Sequence, residues 1–161
     1  MIQPGRRPAL KEHLPLPDIV SNISGQSSTT SANSLSGALV RIQFIRECII
    51  NDPKTAAHAC RLGIANQAAD EEKGFAVIQS QGPEYISGLA NEILLGEFVG
   101  DLSDAFAHVS TFCQIVANGL TSIVAESEIG TSKTLELAVT LSAFAYDLGT
   151  CAKLAKTGEL L

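Results

Sequence analysis

Residues 105–125 read AFAHVSTFCQIVANGLTSIVA, 21 residues without a formal charge. Apolar or small side chains sit nearly all round this stretch when it is wound as a helix, and a helix with no clear polar face is buried on most sides. The length would also cross a bilayer. However, His108, Ser110, Thr111, Gln114, Asn118, Thr121 and Ser122 would all have to enter lipid, at a cost that assigns the stretch to a protein interior and predicts no membrane span.

Helical spacing continues on both sides. Leu35, Leu39, Ile42, Ile45 (or Phe44), Cys48 and Ile49 mark a first amphipathic helix. Asp52 suits an N-cap and Pro53 the first position of a second helix, which carries Ala56, Ala57, Cys60, Ile64 and Ala68 and runs on past Gly74 to Gln79. Gln81, Gly82 and Pro83 break the pattern. A third helix covers about residues 84–99, with Ile86, Leu89, Ile93, Leu94 and Phe98 on its apolar face. Asp101 caps a fourth that reaches Glu126, with Asp104 in the first turn where the helix dipole favours a carboxylate. The fifth starts at Gly130, Thr131 and Ser132 and ends at Lys153 and Lys156, before a stop at Gly158. No strand-like alternation occurs. The chain therefore reads as an all-α bundle of about five helices over residues 34–161, behind an N-terminal arm over residues 1–33. Pro4, Pro8, Pro15 and Pro17 block a regular helix in the arm. The Ser/Thr-rich stretch after them holds too little apolar area to offset its ordering entropy, so an extended or flexible arm is expected.

A length of 161 residues suits one domain with a core that needs no disulfides or metal. Only 17% of residues are charged, below the usual ~25%, so few charges oppose self-association. The net charge of −6 argues against a protein built to grip phosphate backbones. Cys48, Cys60, Cys113 and Cys151 form no CxxC pair and lie in apolar helical contexts, which predicts reduced core thiols. The N-terminus has an arginine pair but no apolar run behind it, so no cleaved secretory signal is expected. That places the protein in the cytoplasm, or has it exported by a route that uses no such signal.

Charge distribution is the sharpest chemical feature. Residues 74–132 hold no Lys or Arg, while Glu84, Glu92, Glu97, Asp101, Asp104, Glu126 and Glu128 supply seven carboxylates. This acidic half excludes nucleic acid and suits either a solvated rim or a docking face for a basic partner. Arg6, Arg7 and Lys11 leave the arm free to touch phosphate or an acidic neighbour. Glu97, Asp101, Asp104 and His108 would share one stripe of a continuous helix, as metal ligands or an acid–base set do, but Gly100 breaks that helix and no Glu-x-x-His motif occurs. His58 and Cys60 diverge by about 200° on a helix and cannot pair directly. Gly130-Thr131-Ser132-Lys133-Thr134 echoes the end of a phosphate-binding loop, yet the first glycine of that motif and the preceding strand are missing. N-cap carboxylates, an incidental histidine and a capping segment account for these groups without a ligand. No catalytic, cofactor-binding or metal residue is assigned, and no cofactor is expected.

The expected function is a non-enzymatic, self-assembling helical protein, a homo-oligomer, filament or shell subunit. It would pack through its fourth and fifth helices, with the arm contacting a neighbour and Ile115 and Leu141 in the interface. The alternative is a secreted effector or protein-binding module that acts through the acidic face of residues 74–132. Its Ser/Thr-rich arm resembles those of bacterial type III secreted proteins in composition, without a motif. An enzyme would have to assemble its site from three His, two Tyr and no Trp.

Overall fold

The computed structural model describes residues 32–66, 70–126 and 132–161, and every regular element within them is a helix. These are α1 (Leu35–Asn51), α2 (Pro53–Ala65), α3 (Phe75–Gln81), α4 (Pro83–Leu94), α5 (Leu102–Glu126) and α6 (Ser132–Lys156). The all-α reading stands, with six helices among the described residues where about five were expected. Of the expected arm, only Ala32 and Asn33 fall among the described residues.

Local chemistry sets the ends. The Ser34 hydroxyl accepts the Gly37 N–H at 3.0 Å and starts α1, and the Asp52 carboxylate accepts the Thr55 N–H at 3.3 Å and starts α2 just before Pro53. Asp101 takes the Ser103 N–H at 2.9 Å and caps α5. At the end of α6, Gly158 is left-handed, and the N–H groups of Gly158 and Glu159 reach back to the carbonyls of Ala155 and Leu154.

Two boundaries differ from the sequence reading. The second helix stops at Ala65 instead of passing Gly74, and α3 is a separate helix of about two turns. Gly74 sits at φ +88°, and a Cβ on it would fall 2.7 Å from the His108 ring. The loop before it is tied down by the Thr111 hydroxyl, which donates to the Lys73 carbonyl at 2.7 Å. The third helix ends at Leu94 rather than near residue 99. There Gly96 at φ +72° closes a left-handed cap, with Gly96 N–H on Ile93 and Glu97 N–H on Glu92.

The packing is organised around α5, which lies between α2 and α6, while α1 packs on α4 and closes over one end. The α2–α5 crossing brings backbone against backbone. A Cβ on Gly63 would lie 2.0 Å from the Ile115 carbonyl oxygen, and one on Gly119 would lie 1.8 Å from that of Ala59. Only glycine permits an approach this close. On the opposite side α6 runs antiparallel to α5, and the hydroxyls of Ser103 and Ser110 donate to the carbonyls of Ala152 and Ala145, each at 2.6 Å. Phe44 meets Phe144 edge-on at 5.2 Å and joins α1 to α6. Beside that pair the buried Arg41 donates to Asp147 at 3.1 Å and to the Gly37 carbonyl at 2.8 Å, and lies over the Phe144 ring. Neutralised on all sides in this way, a charge can be tolerated in a core.

This arrangement explains the chargeless stretch within one chain: α2 and α6 together cover α5. Ile115 and Leu141, expected at an interface between copies, are 0% and 3% exposed in the core.

Replacing Gly63 or Gly119 with Ala is expected to cost about 3 kcal/mol or more, because a backbone carbonyl stands where the methyl must go. Gly88→Ala, at a helical position with open space around it, should instead stabilise by about 0.5–1 kcal/mol. Urea unfolding midpoints of the three variants check both signs.

Candidate functional site

The four residues that would form a carboxylate–imidazole stripe are not brought together. Glu97 and Asp101 precede the first turn of α5. Asp104 pairs with Lys73 at 2.6 Å on the surface, and that ammonium holds its carboxyl below the usual range. His108 points to α4, where its Nδ1 lies 2.6 Å from the Tyr85 hydroxyl. Burial is the main cause that lowers the His108 pKa, with Lys73 adding to it and Asp104 opposing it. Among the described residues, no three His, Cys, Asp or Glu side chains are placed to hold a metal ion.

The other candidates separate in the same way. His58 is exposed on α2, while Cys60 is buried and desolvation pushes its thiol up to about 11. Cys48, Cys113 and Cys151 are buried, unbridged and likewise raised by desolvation, so all four cysteines are protonated thiols at neutral pH. Gly130 and Thr131 lie outside the described residues, and Ser132 is the first residue of α6.

What the structure does expose is one face of α6. Leu135, Val139 and Tyr146 are 43%, 69% and 77% exposed, and the exposed Ser142 and Ala143 lie between them. Their spacing of three and four residues puts them on one stripe, opposite the buried Leu137, Leu141, Phe144 and Leu148. The stripe borders a cleft of about 500 Å³ between α5, α6 and the loop before α3, lined by Glu72, Ser110, Thr111, Gln114, Ser142 and Tyr146. A smaller hollow of about 280 Å³ adjoins it past Ser110, towards Lys73, Lys153 and Lys156. Hydroxyls and an amide line the cleft, but Ser110 and Thr111 already donate to backbone carbonyls. Its residues are thus committed to the α5–α6 seam and to the loop, while Val139 and Tyr146 of the apolar stripe stay largely exposed.

Family models, curated proteins and solved structures were all compared with this chain, and none matches it. Among the described residues no helix is long and apolar enough to cross a membrane.

The partial burial of His108 gives a pH dependence. Below about pH 6.5, the ordinary value for histidine, the unfolded chain takes up a proton that the folded imidazole resists. Stability should therefore fall as pH drops from there, until the folded imidazole also protonates, and the site should add no slope above that window. His108→Gln keeps a hydrogen-bonding partner for Tyr85 and should remove this part of the slope, read from urea midpoints between pH 7 and 5. Equal slopes in variant and parent would show that His108 does not carry it.

Proposed function

We propose that the protein is a non-enzymatic helical subunit that associates with copies of itself through the outer face of α6. The supporting observation is the stripe of Leu135, Val139 and Tyr146, three large apolar side chains exposed on one face of one helix. Contiguous exposed apolar surface of this kind marks contact sites. The stripe also suits pairing about a two-fold axis. In an antiparallel contact centred between residues 140 and 141, Leu135 of one copy faces Tyr146 of the other, and Val139 faces Ser142. Tyr146 then supplies a broad, rigid anchor at each end of the contact. Three helical turns make a small interface against the ~1,200 Å² at which stable ones begin, so the association is concentration-dependent.

The surface differs from the one that chargelessness alone suggests. Ile115→Asp would place a carboxylate in the core of the monomer and unfold it. Val139→Asp combined with Tyr146→Asp changes only exposed positions. That double variant should reduce the mass measured by light scattering to that of one chain while helical circular dichroism is kept. An undiminished mass would refute the α6 contact.

A second reading rests on the acidic surface. Glu84, Glu92, Glu97 and Asp101 are exposed, and among the described residues none of them forms an ion pair. Such a surface suits a basic protein partner. Glu84→Lys with Glu92→Lys should abolish capture of such a partner and leave self-association unchanged.

A further inference from the structure

A second uncovered apolar feature lies where the described chain begins. Leu35, Leu39, Ile93, Phe98 and Leu102 line a groove of about 340 Å³ between the first turns of α1, the end of α4 and the loop that leads into α5. Leu95 and Val99, on that same loop, are 66% and 93% exposed. Three exposed carboxylates accompany the groove: Glu92 on α4, Glu97 on the loop and Asp101 at the cap of α5. The site therefore asks for an apolar segment flanked by positive charge.

Residues 1–31, outside the described part of the chain, contain such a segment. Arg6, Arg7 and Lys11 come first. After Glu12 and His13, residues 14–20 read LPLPDIV, in which Leu14, Leu16, Ile19 and Val20 are apolar and Asp18 is acidic. Three basic and two acidic residues thus leave residues 6–20 a net charge of +1. Pro15 and Pro17 fix their own backbone angles, so this segment loses less freedom than most on being laid into a groove. The tether also fits. Residue 20 is 12 residues from Ala32, the first described residue, and 12 residues reach at most about 40 Å. A polar Ser/Thr-rich connection of that length has a typical end-to-end distance of about 20 Å. Its effective concentration at the groove is in the millimolar range, well above that of a second copy at micromolar protein.

We propose that residues 14–20 occupy the groove at Leu35, Phe98 and Leu102 of their own chain, with Arg6, Arg7 and Lys11 set against Glu92, Glu97 and Asp101. The segment covers the apolar patch beside α1 and neutralises part of the acidic surface. The outer face of α6 is then the large apolar surface left for other copies.

The test uses the full chain carrying Leu16→p-benzoylphenylalanine, and separately Ile19→p-benzoylphenylalanine, so that failure at one position does not decide the matter. Light- and heavy-isotope protein are mixed in equal amounts before irradiation. The proposal expects cross-links to residues 35–39 or 93–102 that join peptides of the same isotope. It also expects their yield to fall several-fold when Glu92→Lys and Glu97→Lys are added. In the chain without the photoreactive residue, Leu16→Asp with Ile19→Asp should raise the fluorescence of an added apolar dye at least twofold, as the groove is uncovered. Cross-links to any other part of the molecule, or none from either position, would overturn the proposal. Mixed-isotope pairs would overturn the assignment to the same chain, and an unchanged yield with the two lysines would overturn the electrostatic part.

Discussion

Where α2 crosses α5, two helix backbones touch with no side chain between them, Gly63 against the Ile115 carbonyl and Gly119 against that of Ala59. The rest of the structure depends on this contact. It draws α5 into the middle of the bundle, and α6 then closes the opposite side through Ser103 and Ser110. Once covered on both sides, α5 can dispense with a charged face, and its sequence does so for 21 residues. The α1–α4 pair completes the enclosure and brings Arg41 to Asp147 across the Phe144 ring.

A central helix buried within its own chain changes what is left over for function. The apolar area of α5 is already used, so it cannot also serve between copies. The uncovered area lies instead on the outer face of α6 and in the groove beside α1, and these two places differ in character. The α6 stripe is apolar and symmetric in spacing, which suits an identical helix. The groove has carboxylates beside it and lies within a short tether of a basic, then apolar, segment of the same chain. Under the two proposals these places take different occupants.

Much of the fold was legible because helix ends are written locally. Asp52, Pro53, Asp101 and Gly158 each act on neighbours within a few residues, and all appear in the structure as the sequence indicates. What was not legible depends on pairs far apart in the chain. Nothing near Gly63 shows that it must meet the backbone at Ile115, and nothing near Arg41 shows that Asp147 lies 106 positions away to neutralise it. Gly74 looked tolerable inside a helix because the His108 ring that forbids it comes from α5. Gly96 stops α4 although Phe98 continues the apolar spacing beyond it. The burial of Ile115 and Leu141 within their own chain was illegible for the same reason. A chargeless helix announces burial, but the sequence does not distinguish burial by its own chain from burial by a copy.

The chain contains no Trp and two Tyr, so after Tyr85→Phe its ultraviolet emission reports on Tyr146 alone. Acrylamide quenching of that emission, followed as the protein is concentrated, addresses the α6 contact directly. The account predicts full quenching of a solvent-facing Tyr146 in dilute protein and a steady loss of quenching as copies pair over Leu135 and Val139. Quenching that stays complete at every concentration would contradict it.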